Sequence, residues 1–537
     1  MGRASWVTAC ALAGFLAAGT LHAQTRAITG TVTDSATGQP VPSLVAVSGT
    51  RISVSTQDNG SYVIPNAPAG DVTLLVRSVG YRRREVRVAA GQSRADVQLA
   101  RDLFRLDAIV VTGQATGIER RRAANAIATI GSDELRSSPT ASIEQQLQGK
   151  VAGADIQTNG GAPGGGIQVR LRVITSINAD AQPLYVVDGV IVSDVSIPSN
   201  QNEVTAASGG SNPALTQDAQ VNRIADIDPN DIENIEILKG ASASAIYGGR
   251  ASNGVVIITT RRGRQGAVQI SLGQRFGMNR LSNTLGSRTW DNAAEVDGVY
   301  GPGTAAANGF TGTNFDLERQ LAHNTGFNTE TYASISGGSE TTRYLASGTV
   351  QGQSGIIDNT GFQRQNVRVN LDQRLSNRIQ GQFSTNFLHT RAQRGLTNND
   401  NSTTSFYMVF PFTPSFVNLQ RLPDGSYPNN TIAGSNPLQT AALMRNDEDV
   451  YRTINSARLS WDMSQSLRFV TVGGMDFFQQ SNNLFFPPEL QFEPQDGLPG
   501  TSLASSSSSL NLNWDGNVIH TYRGAARAAT TSLGAQY

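Results

Sequence analysis

The sequence predicts a mainly β protein made of a small β-sandwich, an α/β domain and part of an antiparallel transmembrane β-barrel. Three observations indicate this fold class. Short alternating apolar runs occupy the first hundred residues, a mixed region follows, and long two-residue alternation then continues to the last residue. The 55 glycines fit a turn-rich β protein. The 42 basic residues balance the 42 acidic ones, so overall charge gives no indication of a nucleic-acid partner.

The first residues predict export through the Sec pathway. Arg3 precedes an apolar run over residues 7–21, and Ala23 is a small residue that suits signal peptidase. We therefore expect a signal peptide over residues 1–23. The run is shorter than the roughly 20 apolar residues that a spanning helix needs. Cys10 is the only cysteine and lies in this segment, so the exported chain is expected to lack disulfides.

Residues 24–100 are expected to form a seven-strand β-sandwich. Alternating runs are separated by turns such as Asp58-Asn59-Gly60, and this spacing is typical of a sandwich. The segments ITGTVTDSATGQPVPS and STQDNGSYVIPNAPAGDVTLLVRSVGYRRREV resemble the carboxypeptidase regulatory-like domain. That resemblance implies a non-catalytic domain of a kind often found at the N-terminus of secreted or outer-membrane proteins.

Residues 114–264 are expected to form the α/β domain. Ser138-Pro139 suits a helix start, and a short helix is predicted over residues 241–247. Asp188-Gly189 lies between β-branched runs, so it predicts a hairpin turn rather than a catalytic carboxylate. The glycine-rich run at 159–166 lacks the Gly-Lys-Ser/Thr ending of a phosphate loop and is interpreted as a flexible connection.

The segment IADIDPNDIENIEILKGASASAIYGGRASNGVVIITTRRGR, at residues 224–264, resembles the closing motif of a TonB-dependent receptor plug domain. Together with LQGKVAGADIQTNGGAPGG and SINADAQPLYVVDGV upstream, it is similar to the SusC/RagA subfamily. Val173 departs from the glycine usual in this subfamily, and valine disfavours positive φ. The residues that match the plug signature are Lys239, Gly240, Ala241, Ser242, Tyr247, Gly248, Asn253, Gly254 and Val255.

Residues 106–113 are interpreted as a TonB box, the segment that pairs with the periplasmic protein TonB. An acidic residue followed by β-branched residues suits a strand that adds itself to the edge of a partner's sheet. The pattern alone also fits the last strand of the sandwich or the first strand of the next domain. Its position directly upstream of the plug favours the box. The residues expected to pair with TonB are Asp107, Ala108, Ile109, Val110, Val111 and Thr112.

Residues 265–537 are expected to form the N-terminal part of an outer-membrane barrel. Short turns near residues 337–340 and 463–466 alternate with long polar segments at 391–450 and 479–509, as in outer-membrane barrels rather than soluble sandwiches. About nine or ten strands are expected, whereas a lumen that holds a plug needs roughly 22. We therefore expect an incomplete barrel, from a fragmentary gene product, a partial sequence or a split protein.

The resemblance implies import through the outer membrane of a diderm bacterium, energised by TonB with ExbB and ExbD. It also implies a SusD-like surface lipoprotein that passes in oligosaccharides or peptides. The histidines lack the spacing of a metal site and no nucleophile elbow is present, so neither an enzyme nor a cofactor is expected. The scattered histidines are His22, His323, His389 and His520.

Other functions stay open. One is a non-transporting secreted or surface β protein for adhesion or structure, and another is a truncated transporter fragment without function. A signalling receptor would need an α/β signalling domain, which the sequence does not indicate. Aromatic residues in the long segments can contact substrate or a partner, lie at the membrane interface, or pack within loops. They are Tyr407, Phe410, Phe412, Phe485 and Phe486.

Overall fold

The chain divides into two compact units near residue 110, and each is described by itself. In the part of the chain that the structure describes, no helix is long and apolar enough to cross a membrane. The computed structural model describes residues 25–35, 38–50, 52–78, 81, 83–99, 127–131, 147–158, 161–165, 167–171, 182–193, 223–239, 247–397, 404–494, 497–523 and 528–537.

The N-terminal unit contains seven strands in its described residues, in two sheets ordered β4-β1-β7 and β3-β2-β5-β6. Ile28, Leu74 and Val97 are fully or almost fully buried, as alternation predicts for one apolar face per strand. The predicted sandwich is confirmed. The strands are β1 (Thr25–Asp34), β2 (Leu44–Val47), β3 (Ser53–Ser55), β4 (Ser61–Pro68), β5 (Val72–Arg77), β6 (Arg84–Val88) and β7 (Val97–Leu99).

The plug, taken as the described residues from 127 to 260, has a five-stranded sheet ordered β12-β11-β14-β13-β8 and a β10-β9 hairpin. Only the β11–β14 pairing is parallel in the five-stranded sheet. Short 3-10 turns lie at Arg223–Asp226, Pro229–Asp231 and Gly249–Ala251. The strands are β8 (Ile127–Gly131), β9 (Ala154–Thr158), β10 (Ile167–Leu171), β11 (Leu184–Val187), β12 (Val190–Val192), β13 (Ile232–Leu238) and β14 (Val255–Thr260).

The predicted Asp188-Gly189 turn is confirmed. Val187 pairs with Val190, and the two residues between them have positive φ, 49° for Asp188 and 85° for Gly189. These angles belong to the two-residue turn that matches the twist of a hairpin. The predicted helix start at Ser138-Pro139 lies outside the described residues, as does most of the predicted helix over 241–247.

The described residues after 264 form one antiparallel sheet of nine strands, each paired with the next in the chain. This sheet confirms the predicted partial barrel, and its inward face is called the barrel wall. The strands are β15 (Gly266–Asn279), β16 (Gly326–Gly338), β17 (Thr342–Ser354), β18 (Gly361–Arg374), β19 (Ile379–Gln393), β20 (Arg445–Asp462), β21 (Leu467–Phe486), β22 (Thr501–Arg523) and β23 (Ala528–Gln536).

The barrel sheet is polar inside and apolar outside, the reverse of a soluble protein. On β18, Arg368 and Asn370 are each 1% exposed, whereas Val367 is 56% exposed although it is apolar. Phe383 and Phe387 of β19 also face outward. An outer face of this kind suits lipid, and a polar inner face suits water or a polar plug.

The long connections between strands differ from the predicted loops in their bounds. The segment at 479–509 was predicted as a loop, but β21 continues to Phe486 and β22 begins at Thr501. Ser505 and Ser509 pair with Asn482 and Phe478. Strand pairing uses backbone groups, so a serine run can extend a strand beyond the apolar belt. The prediction also missed that residues 280–325 form a second long connection.

The long connections contain helices and their own apolar core. Trp290 and Phe416, from two different connections, meet with ring centroids 5.5 Å apart, and Tyr300 lies 5.4 Å from Phe416. The segment at 391–450 is therefore more folded than its predicted polar loop. The helices are α1 (Ala293–Tyr300), α2 (Thr304–Ala307), α3 (Leu317–Leu321), α4 (Phe406–Phe412) and α5 (Pro437–Leu443).

The exposed apolar face gives a first prediction. Val367→Arg is expected to destabilise the barrel by about 2–4 kcal/mol, because it places a charge in the middle of the lipid-facing surface. Gln363→Arg, nearer the long connections and already polar, is the matched control and should cost at most about 1 kcal/mol. The urea dependence of the heat-modifiable band in lipid vesicles measures both. Equal losses for the two variants would contradict a lipid-facing Val367.

Candidate functional site

The described residues of the predicted plug signature lie between the end of β13 and the start of β14 in the plug sheet. Lys239 donates from its ammonium to the carbonyl of Ala152, and Val255 is buried in β14. Gly254 has a φ of 101°, and a Cβ there would lie 2.8 Å from the carbonyl oxygen of Leu238. Gly240, Ala241 and Ser242 lie outside the described residues, as does the whole predicted TonB box from Asp107 to Thr112.

The residues that the structure brings together instead are charged and buried, where the plug meets the barrel wall. The first group centres on Arg452 of β20, which is 1% exposed or less. It binds Asp476 of β21 in a bidentate pair, with Nε–Oδ1 at 2.8 Å and Nη2–Oδ2 at 2.9 Å. From the same guanidinium, Nη1 donates to the carbonyl of Arg223 at 2.6 Å and Nη2 to that of Ser193 at 2.9 Å. One arginine therefore joins the wall to two plug segments.

Arg223 of the plug extends this first group toward the long connections. Its Nη2 lies 2.9 Å from Oε1 of Glu448 on the wall, and Arg394 lies 2.7 Å from the same oxygen. Asp226 is within 3.6 Å of Arg223 and 3.4 Å of Arg452. Buried charges are tolerated only when paired, so this network fixes how the plug sits against β20 and β21.

The second group centres on Arg368 of β18. Its Nε lies 3.2 Å from Oδ2 of Asp231 and its Nη1 lies 3.6 Å from Oδ2 of Asp188, both plug residues. Asp231 also accepts hydrogen bonds from Ser347 at 2.6 Å and Asn366 at 2.8 Å. Two plug carboxylates therefore share one arginine of the wall.

The hairpin tip at Asp188 is held by several strands. Its carboxylate accepts hydrogen bonds from Thr260, at 3.0 Å from the backbone N–H and 2.5 Å from the hydroxyl. Ser456 of β20 donates to the backbone carbonyl of Asp188 at 2.9 Å. Asn513 of β22 donates to the carbonyl of Gly189 at 3.0 Å. The turn is thus a fixed docking point for the plug on the wall.

The two carboxyls that face Arg368 have opposite pKa shifts. Burial opposes the charge of Asp188, but Arg262, Arg368 and the hydrogen bonds from Thr260 outweigh it, so the pKa of Asp188 lies below its ordinary value. Burial raises the pKa of Asp231, and the like charge of Asp228 adds to this effect. Of the two carboxyls that face Arg368, Asp188 is therefore the one that stays ionised more firmly.

Sequence reasoning missed this network. Asp188 was interpreted only as a turn residue, and the acidic run around residues 226–231 was not singled out. The available signals were that acidic run and the alternating arginines on β18 and β20. Neither reveals its partner, because Asp188 and Ser384, which bond at 3.2 Å, are 196 residues apart in the chain.

The aromatic residues of the long segments, for which substrate contact, the membrane interface and loop packing were all left open, do not form one group. Phe486 is fully buried in the packing under the long connections, whereas Phe485 is 37% exposed on the other face of β21. Phe410 is partly buried, and Phe412 is half exposed on α4. The side chain of Tyr407 lies outside the described residues. Among the described residues, no group of His, Cys, Asp and Glu could hold a metal ion.

Parts of the chain match known protein families and proteins. Residues 119–255 match the TonB-dependent receptor plug domain, and residues 28–111 match the CarboxypepD_reg-like domain. The chain is 30% identical to TonB-dependent receptor P3 of Formosa agariphila over 467 residues, which cover 84% of this chain and 42% of that protein. It is 31% identical to TonB-dependent receptor SusC of Bacteroides thetaiotaomicron over 363 residues, which cover 67% of this chain and 33% of that protein.

A solved structure has the same fold. The RagAB peptide importer in its "open-open" state aligns with a TM-score of 0.63 at 20% identity, covering 80% of this chain and 48% of that chain. The chain thus spans less than half the length of the curated relatives that it matches.

Proposed function

Since the chain belongs to the TonB-dependent receptors of the SusC/RagA type, we propose that it forms the energy-coupling and gating part of an outer-membrane importer. The proposed cargo is an oligomeric nutrient, an oligosaccharide or a peptide. TonB, with ExbB and ExbD, supplies the energy through the box at 106–113. A SusD-like surface lipoprotein delivers the cargo to the long connections.

One observation supports gating most directly. The barrel wall has buried arginines, Arg368 and Arg452, that bond plug atoms on their inner side. A plug held by polar and ionic contacts can leave the wall when water replaces those contacts, whereas an apolar core would resist wetting. The interface therefore suits a part that must be displaced and then return.

Export and domain organisation complete the proposal. A signal peptide at 1–23 directs the chain to the periplasm, and the regulatory-like domain at 24–100 precedes the box. The plug at 114–264 then enters the barrel that begins at residue 265. In this arrangement the box is tethered to the plug, so a pull on the box acts directly on the plug.

A disulfide between plug and wall tests the gating proposal. A Cβ built on Gly474 of β21 lies 2.9 Å from Cγ2 of Val190 on β12, close to the separation of about 3 Å from Cβ to the far sulfur of a disulfide. It lies even closer to Oδ1 of Asn513, so the Asn513 side chain must turn aside in the variant. Val190→Cys with Gly474→Cys is therefore expected to lock the plug. Uptake in oxidised cells should fall to the level of a strain without TonB and recover when the disulfide is reduced.

The single variants Val190→Cys and Gly474→Cys are the controls. Treated with the same oxidant, each should import at its own untreated rate, because a single introduced thiol cannot link the plug to the wall. Normal uptake by a receptor whose disulfide is fully formed would contradict gating by the plug. Absence of TonB-dependent uptake even before oxidation would instead favour a surface β protein that does not transport.

A further inference from the structure

Strand β18 presents three polar side chains in a row on the barrel wall: Arg364, Asn366 and Arg368, called the arginine ladder. Each is 2% exposed or less. Alternate residues of a strand face the same side at about 3.3 Å per residue, so the ladder spans about 13 Å along the lumen. Two guanidinium groups with an amide between them form an extended surface of hydrogen-bond donors.

In the closed state the ladder binds an acidic stretch of the plug, residues 228–231. Nη2 of Arg364 lies 3.6 Å from Oδ1 of Asp228. Asn366 donates to Asp231 at 2.8 Å, and Nε of Arg368 lies 3.2 Å from the same carboxylate oxygen. The stretch thus places two carboxylates along the ladder, as a short anionic oligomer would.

The ladder differs from the other arginines of the wall in the source of its counter-charges. Within the described residues, the ion pairs of Arg368 are with plug carboxylates, those of Asp231 and Asp188. Arg452, in contrast, keeps Asp476 of the neighbouring strand whether or not the plug is present. Displacing the plug therefore removes the carboxylates that face Arg368 and leaves the pair at Arg452 intact.

Arg368 and Asn366 also have hydrogen-bonding capacity that the plug does not use. Nη2 of Arg368 and Oδ1 of Asn366 are buried without a hydrogen-bond partner in the described part of the chain. Buried polar groups normally have partners, so these atoms indicate that the plug fits the ladder incompletely. A ligand with carboxylates and hydroxyl or amide groups can supply both an acceptor and a donor.

We propose that the arginine ladder is a binding track for a carboxylate-bearing oligomer, which residues 228–231 of the plug occupy while the lumen is closed. This inference rests on the proposed function and adds the substrate class, an acidic oligosaccharide or an acidic peptide. Arginine binds carboxylates in a bidentate geometry that a neutral oligomer cannot use. When the plug is displaced, Arg368 loses the plug carboxylates that neutralise it, and the carboxylates of the passing substrate take their place.

Blocking of the open pore tests this track without depending on TonB. The receptor with its barrel complete is purified, placed in planar bilayers, and opened with urea that unfolds the plug but leaves the barrel. The blocking probes are oligogalacturonate with a neutral galacto-oligosaccharide of the same length, and an aspartate-rich peptide with its asparagine counterpart. We expect the acidic member of at least one pair to block at about a tenfold lower concentration than its neutral counterpart.

Variants assign the effect to the ladder. Arg364→Gln with Arg368→Gln should abolish the preference for the acidic probe, and Arg368→Lys should retain part of it because the charge remains. Arg391→Gln removes an arginine from the outer face of β19 and serves as the matched control, with the preference unchanged. If the double variant opens no pore, Arg368→Gln alone is compared with Arg391→Gln.

The outcomes separate this inference from the proposed function. A preference for only one acidic probe identifies the oligosaccharide or the peptide as the source of the carboxylates. Equal blocking by acidic and neutral probes, or a preference unchanged in the Arg368→Gln variants, would overturn the track while leaving gating untouched. The gating proposal itself fails only if the disulfide of the Val190→Cys, Gly474→Cys double variant does not stop uptake.

Discussion

Deletion of residues 107–112 is expected to abolish energised uptake while surface binding of the substrate stays normal. In the proposed function this segment is the TonB box, which adds itself as a strand to TonB. If the proposed function holds, the plug then receives no force, whereas the long connections, proposed to receive the substrate, are unchanged. The measurement is uptake of labelled substrate in cells that express the receptor from its own locus, alongside binding at the cell surface.

Substitutions within the box distinguish backbone pairing from simple linker length. Val110→Pro removes a backbone donor and should mimic the deletion if that N–H pairs with TonB, whereas Val110→Ala keeps the donor and should retain uptake. Deletion of residues 101–105, between the sandwich and the box, shortens the linker by almost as much without touching the box, so it controls for length. Uptake at the normal rate after deletion of 107–112 would eliminate the box assignment.

Arg452→Met is expected to destabilise the docked plug by about 3–5 kcal/mol, the cost of removing one partner of a buried ion pair. The substitution leaves Asp476 buried without its bidentate partner and leaves the carbonyls of Arg223 and Ser193 without their donors. Protease sensitivity of the plug in the folded barrel, measured against urea concentration, reports the change. The midpoint should move to a clearly lower urea concentration.

Two further variants serve as references for the loss of stability caused by Arg452→Met. Arg452→Met with Asp476→Leu removes both charges and should recover part of the stability, because an apolar pair can replace a buried ion pair. Recovery is incomplete because the backbone N–H of Ser193 then loses Asp476 as its acceptor. Arg391→Met removes an exposed arginine paired with Asp449 and should cost at most about 1 kcal/mol. An Arg452→Met midpoint equal to that of Arg391→Met would contradict a structural role for this ion pair.

The fold was largely predictable because each part carries its own local pattern. Alternation identified strands such as β18 and β19, since every second residue must suit lipid. The Asp188-Gly189 pair predicted its turn from backbone requirements alone. The strand ends in the serine-rich region were not predictable in the same way. Above the apolar belt, backbone pairing continues where the side chains no longer alternate, as in residues 501–509.

The interface could not be predicted, because it depends on which residues of distant strands share one level of the barrel. Arg452 donates to the carbonyl of Arg223, 229 residues earlier in the chain. Alternation indicates that such an arginine faces inward, but the strand register and the position of the plug decide which carboxylate it meets. The folded connections at 280–325 were missed for a related reason, since their core forms between segments remote in sequence.

The dependence of Arg368 on plug carboxylates limits how such receptors can be recombined. A foreign plug without acids at the positions of Asp188 and Asp231 would leave that arginine buried without counter-charge, even if every backbone contact were preserved. Grafting is therefore expected to succeed only when β18 and residues 226–231 are transplanted as a set, with the Asp188 hairpin. Among related receptors we likewise expect substitutions at Arg368 of the wall to be accompanied by substitutions at Asp188 or Asp231 of the plug.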